Sequence, residues 1–420
     1  MNTVTASTGK RAWASRPFRW LWTGSAVSMF GSEIAELALP LLALVTLSAT
    51  AGEVATLRAA QFLPFLLATL PLGLLVDRRR RLPLMISADV GRFALIGLIP
   101  IAVWLDLGGM EILYVAVFGA GVLTALYQIA DFSFMPSVVR AEQLPDANAK
   151  IVATQSAMEI GGRGLGGLLV QLLTAPVAVA VNAVTYLLSA LSLSRIRIDE
   201  PAPRPATGRS PVREVLDGLG YAVRNRYLRA LLGEATTFNL FNEAFMLGLM
   251  IYAIRDLGIS PAGLGLVLVA GGLGSFAGAW FGTGLTGRWG YGRVLLVTLF
   301  AGNTVPVAAL AAGAAGGWAL PLLVGVFFVM GVGIGVANSH AVTVRQVAAP
   351  LDLRGRVNAA YRLISWGMIP LGAVGGGVLI NATSAWSAML VGSIGVAAAS
   401  LWVAFSPVAG LRRVEDAVPA

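Results

Sequence analysis

The sequence predicts an all-α integral membrane protein with twelve transmembrane helices in two pseudo-symmetric six-helix bundles. Three observations point there. Hydrophobic side chains make up 57% of the 420 residues and charged ones only 12%, more apolar surface than a water-facing globule can hide. Unbroken apolar stretches long enough to cross a hydrocarbon core of about 30 Å recur along nearly the whole chain. Basic residues gather in every second connector, as the cytoplasmic connectors of membrane proteins do.

Twelve stretches qualify as spans, at 20–46, 54–76, 83–105, 111–136, 147–170, 173–194, 228–253, 261–286, 292–313, 317–340, 356–380 and 384–406. Their continuity and their richness in Gly and Ala exclude a membrane barrel, whose strands alternate over about ten residues. The expected organisation is a cytoplasmic leader over 1–19, a first bundle over 20–194, a linker over 195–227, a second bundle over 228–406 and a tail over 407–420. The span behind the leader is too long for a signal-peptide core, so it is expected to stay uncleaved. In the linker, Pro201, Pro203, Pro205 and Pro211 stand among arginines and predict a polar, partly extended bridge. Residues 212–227 can form an amphipathic surface helix.

Lys10, Arg11, Arg16 and Arg19 of the leader, the connectors at 77–82, 137–150, 195–227, 287–293 and 341–356, and Arg412 and Arg413 of the tail hold nearly all the basic residues. This distribution places both termini on the cytoplasmic side of an inner membrane. The opposite connectors, such as Thr50 to Glu53 and Asp106 to Gly109, are almost free of positive charge, Arg255 being the main exception. The net charge of +9 is therefore a topology signal and not a nucleic-acid surface. With no cysteine and a single histidine, His340, thiolate and imidazole metal sites are excluded, and neither metal nor cofactor is expected.

Comparing the chain with itself at an offset of 210 residues aligns the two halves without a gap. Asn148 and Ala149 meet Asn358 and Ala359, Gly162 meets Gly372, Gly166 and Gly167 meet Gly376 and Gly377, Arg78 meets Arg288, and Glu33 meets Glu243. Internal duplication of this kind, joined by a polar bridge, lets two bundles rock about a central cavity.

The connector between spans 2 and 3 reads Gly73, then three residues, then Asp77 followed by Arg78, Arg79, Arg80 and Arg81. With twelve spans in two sets of six and a central basic linker, this motif resembles the major facilitator superfamily over the full length of the chain. Within it, the sequence is most similar to bacterial exporters related to enterobactin and macrolide efflux proteins. The stretches from Met135 to Ala149 and from Arg345 to Val357 carry that likeness. Arg80 stands where the family usually has Gly, Gly287 stands where a second-half Asp would correspond, and span 5 has Gly161-Gly162-Arg163 in place of a Gly-Pro pair. The resemblance implies that Asp77 sits at the N-terminal end of span 11, near Gly355 to Asn358, as a latch. Asp131 could then accept Arg78 or Arg81, with Asp89 and Arg92 on span 3 in the same group of switch residues.

Ionisable side chains inside spans are costly and turn toward a cavity or a partner, which makes them the best functional candidates. Glu33, with Glu36 near it on span 1, and Glu243 on span 7 are expected to be proton or cation sites. In the resembled fold, those spans line the cavity. Glu159 and Arg163 stand four apart on span 5 in the order that favours an ion pair, and Arg163 can hold an anionic group or tune Glu159. Gln155 extends that polar face. Tyr127, Phe238, Asn239, Phe241, Asn242, Asn338, Tyr361 and Trp366 are substrate-cavity candidates, a mixed lining that suits a bulky amphiphile. The glycines of spans 5, 8 and 11 serve close helix packing.

These residues predict no enzyme, for no nucleophile, base and orienting acid come together. They predict a proton-coupled secondary transporter that exports a small amphiphilic compound, such as a drug, siderophore or secondary metabolite, by alternating access. Its expected partners are that substrate, protons and the lipid bilayer, with no nucleic acid, and it is expected to act as a monomer. A lysolipid or nutrient carrier of the same fold, or a membrane sensor or scaffold that transports nothing, are the competing readings.

Overall fold

Side chains that cap their own helix ends set where the spans begin. Ser15 accepts from the Phe18 amide at the start of α1 (Arg16–Leu41), with Pro17 in the first turn. Asn225 accepts from Tyr227 and Leu228 at the start of α8 (Arg226–Ile251). Ser260 and Ser384 do the same for α9 (Pro261–Trp289) and α13 (Ala385–Ala404).

The computed structural model describes residues 12–198, 200, 211–350 and 353–417. Lys10, Arg11, the linker prolines at 201, 203 and 205, and the side chains of Gly287 and Arg288 lie outside the described residues. Between α1 and α8 come α2 (Ala51–Arg78), α3 (Arg81–Trp104), α4 (Met110–Val138), α5 (Leu144–Leu172), α6 (Ala175–Leu193) and α7 (Pro211–Arg224). After α9 come α10 (Tyr291–Thr304), continued by a tighter 3₁₀ turn over Val305–Ala314, α11 (Ala319–Ala348) and α12 (Arg354–Ala382). No strand occurs among the described residues.

Ten of these elements are long and apolar enough to cross a membrane, or eleven when Ala51–Thr69 and Pro71–Arg78 of α2 count as one span. The twelfth expected span is α5, whose polar content of Asp146, Lys150, Glu159 and Arg163 sets it apart. Large apolar side chains stand exposed along the spans, Phe132 at 85% and Val115 at 72% among them, as lipid-facing surfaces require.

The described chain clusters into two compact units. One holds Met1–Leu42 and Leu67–Gly208, the other Ala43–Leu66 and Arg209–Ala420, so the first half of α2 packs with the second unit. In the first unit, α1 packs on α5 and α6, and α3 on α4 and α6. In the second, α8 packs on α12 and α13, α9 on α11, and the amphipathic α7 on α12. Backbones come very close where glycines allow it. A Cβ on Gly274 or Gly278 would strike the carbonyl oxygen of Phe328 or Val332, and one on Gly331 or Gly335 that of Gly271 or Ser275, which locks α9 against α11.

The duplication extends to backbone irregularities. A π-helical turn ends α1 at Leu42–Thr46 and another ends α8 at Tyr252–Asp256, 210 positions on. Left-handed φ values recur in the same register, 54° at Ser48 and 63° at Gly258, then 54° at Asp106 and 52° at Gly316. Such conformations suit glycine, so Ser48 and Asp106 hold strain that their counterparts avoid.

Candidate functional site

In the first unit, α1 and α5 meet through small residues. A Cβ on Gly162 would lie 2.5 Å from Glu33 Cβ, and one on Gly166 would lie 3.1 Å from the Ile34 carbonyl oxygen. That contact brings Glu33 to Arg163, whose Nε donates to Glu33 Oε2 at 3.0 Å. The same guanidinium reaches Glu159 Oε1 through Nη1 at 3.1 Å. Two carboxylates thus share one cation, with Glu36 close enough to add its field. The Glu33 and Arg163 side chains are 25% and 28% exposed and Glu159 43%, so the group is half-buried. Gln155, one turn before Glu159, is exposed.

The second unit repeats the contact with a different cation. A Cβ on Gly372 of α12 would strike the Leu240 carbonyl oxygen and come within 3.1 Å of Glu243 Cβ, and one on Gly376 would lie 2.8 Å from Ala244 Cα. Glu243 is paired by Arg58, on the first half of α2, whose Nη2 lies 3.1 Å and 3.4 Å from the two carboxylate oxygens. Arg58 also donates to Gln61 at 3.2 Å and lies 5.0 Å from the Phe62 ring centre. Their side chains are only 14% and 11% exposed. Here the carboxylate is held by a guanidinium that reaches both of its oxygens.

The residues expected around the connector separate. Gly73 is half-buried, while Asp77 and Arg78 are exposed. Arg81 is taken by Glu200, a correction to the expected Asp131 partner. Glu200, 4% exposed, accepts from the Arg81 amide at 2.6 Å, the Leu82 amide at 3.3 Å and Arg81 Nη1 at 3.4 Å. A carboxylate that fills the N-terminus of α3 in this way outcompetes a side chain further along the bundle. Asp131 keeps a buried Oδ1 with no hydrogen-bond partner. Asp89 and Arg92 pair with each other inside the bundle, 0% and 2% exposed. The Arg92 guanidinium lies between two rings, 4.5 Å from the centre of Tyr127 and 4.3 Å from that of Tyr186. Burial of this completeness makes the pair a packed internal element of the first unit.

Tyr127 is 6% exposed, with its hydroxyl 3.2 Å from Ser25 Oγ, and Tyr361 is 8% exposed, with its hydroxyl on the Leu231 carbonyl at 3.0 Å and Arg345 3.9 Å from its ring centre. Both are therefore occupied by packing. Phe241 fills the space over Gly395 of α13. Asn239 donates to the Ser365 carbonyl at 2.7 Å, while the buried Oδ1 of Asn242 has no partner. Phe238 is half-buried and Asn338 exposed. Trp366 is 39% exposed, 6.3 Å from the Phe65 ring and 4.4 Å from the Arg362 guanidinium.

Three charged residues escaped the reading of the sequence. Arg58 and Glu234 lie within predicted spans, where a lone charge is itself the signal; Glu234 hydrogen-bonds Asn303, which in turn donates to Ser400 Oγ at 3.0 Å. Glu200 precedes a proline-rich run and carries no periodic signal.

Apolar helices carrying ion-paired carboxylates at duplicated positions fit a membrane transporter. The profile of the Major Facilitator Superfamily matches residues 21–373, and the chain belongs to that family. Among curated proteins, it is 24% identical over 225 residues to macrolide efflux protein A of Streptococcus pyogenes, covering 53% of this chain and 55% of that one. It is 27% identical over 230 residues to the proposed bacilysin exporter BacE of Bacillus amyloliquefaciens, covering 52% and 54%. The chain thus spans about half the length of the curated relatives it matches. Among solved structures, a bacterial homologue of the iron transporter ferroportin matches with a TM-score of 0.71 at 17% identity, covering 93% of this chain and 98% of that one. A bacterial homologue of the human lysosomal transporter Spinster matches with a TM-score of 0.68 at 13% identity, covering 95% and 97%.

Proposed function

We propose that this transporter exports a small amphiphilic compound across the inner membrane by alternating access, coupled to proton entry, with both termini cytoplasmic. The observation that carries the reading is the shared cation of the first unit. With Glu33 and Glu159 both ionised around Arg163, the group holds an excess negative charge in a medium that penalises it. One proton on Glu33 balances the group and releases Arg163 Nε. Glu243, paired with Arg58, serves to hold the first half of α2 on α8.

Similarity to a macrolide efflux protein and to a proposed bacilysin exporter supports export of a bulky organic molecule. The test is uptake into everted membrane vesicles, with and without a pH gradient, of cationic, neutral and anionic amphiphiles. Accumulation that depends on the gradient and is lost in Glu33→Gln is expected. Accumulation that survives both collapse of the gradient and Glu33→Gln would remove proton coupling.

A further inference from the structure

We propose that the groove between α8 and α13 binds an anionic phospholipid, its phosphate held by Arg226 and Arg229. The groove has a volume of about 470 Å³, and its wall includes both arginines, Thr237, Leu401, Trp402 and Phe405.

Charge comes first. Arg226 and Arg229 stand three apart at the start of α8, on one face of the helix, and both are exposed. Arg226 contacts Tyr227, with Nη2 3.2 Å from its hydroxyl and the guanidinium 5.0 Å from its ring centre. Among the described residues, no carboxylate pairs with either arginine. Two guanidinium groups side by side without a counterion fit a phosphate, which accepts the planar fork of donors that arginine presents.

The remainder of the wall is apolar and uncovered. Phe405 is 87% exposed, Trp402 48% and Leu401 44%, all on or next to a predicted span. Hydrocarbon must cover them. Thr237 lies eight residues beyond Arg229, or about 12 Å along the helix, so the wall deepens into the bilayer from the charged mouth. The Trp402 indole is fixed in place, for its Nε1 donates to Thr237 Oγ1 at 3.0 Å and its ring covers Gly233, where a Cβ would come within 2.5 Å.

A basic mouth continuous with an apolar channel complements a molecule with a phosphate at one end and an acyl chain at the other. A zwitterionic headgroup brings its own ammonium toward the same arginines and is disfavoured. The arginines close the linker connector whose charge marks the expected cytoplasmic face, which places the lipid in that leaflet.

The test is native mass spectrometry of the purified full chain, with phosphatidylglycerol, phosphatidylethanolamine or inorganic phosphate added, alongside thermal unfolding under the same conditions. One retained phosphatidylglycerol, held in preference to phosphatidylethanolamine, is expected. That preference should fall about fivefold or more in Arg229→Gln and further in Arg226→Gln/Arg229→Gln. Arg226→Lys/Arg229→Lys should retain most of it, and Arg195→Gln/Arg197→Gln, two exposed arginines of the first unit, should leave it intact. Equal retention of both lipids, or a preference unaltered by Arg229→Gln, would overturn the proposal. Protection by inorganic phosphate equal to that by phosphatidylglycerol would also overturn it, since the site would then recognise a free anion. If the double glutamine variant fails to fold, Arg229→Gln and the lysine pair still decide.

Discussion

Gly162 lies so close to Glu33 that a methyl group on its α-carbon would fall 2.5 Å from the glutamate Cβ, and Gly372 stands in the same relation to Glu243 at 3.1 Å. Each acidic residue is therefore lodged against a helix that tolerates no side chain at the point of contact. Gly372→Ala should lower the unfolding midpoint by the equivalent of about 2 kcal/mol or more, because the added methyl meets a backbone carbonyl that cannot turn aside. Gly375→Ala, where nothing lies within 4 Å, is the control and should leave it unchanged. Equal midpoints for the two variants would refute the tight contact.

Arg58 and Glu243 should show strong thermodynamic coupling. Removing Arg58 takes the guanidinium away from a carboxylate only 11% exposed, so Arg58→Gln should destabilise by about 3 kcal/mol. Arg58→Gln/Glu243→Gln should recover most of that loss. A double-mutant cycle read from denaturation in detergent checks this, and additive single effects would count against the pair.

Glu33→Gln should abolish dependence of transport on the pH gradient while leaving exchange of substrate down its own gradient. Glu243→Gln should instead lower stability and keep the dependence. Vesicle assays at several imposed gradients separate the two, and identical phenotypes would show that the shared cation of the first unit has no special part in coupling.

Glu200→Ala should loosen the start of α3 by about 1–2 kcal/mol, since two backbone amides and Arg81 lose their acceptor. Hydrogen exchange over residues 81–84 is the measurement. Unchanged protection there would dismiss the cap.

Ser48→Gly should be neutral or stabilising by up to about 1 kcal/mol, whereas Gly258→Val should cost about 1–2 kcal/mol, because both positions hold left-handed backbone and only glycine does so freely. Thermal unfolding of the two variants tests the pair, and a destabilising Ser48→Gly or a neutral Gly258→Val would contradict the shared geometry.

The fold was legible because a hydrocarbon solvent imposes one rule on every span. Length and apolarity recover nearly all the spans, and the 210-residue offset that joins Glu33 to Glu243 also joins the two π segments. Partners were less legible, since they join residues far apart in sequence. Arg58 is separated from Glu243 by 185 positions and Arg81 from Glu200 by 119, and no periodicity connects them. Asp131 looked available to Arg81 only while Glu200 was unseen. Tyr127 and Tyr361 looked like cavity residues because a sequence does not show which aromatic rings already cover an arginine.

The grouping of Ala43–Leu66 with the second unit governs how the chain can be divided. A cut in the linker would leave Arg58 on the amino-terminal fragment and Glu243 on the other. Produced alone, the carboxy-terminal fragment would expose a carboxylate without its counter-charge and a strip of α12 facing Phe65 and Leu66, so it should aggregate unless the two fragments are synthesised together.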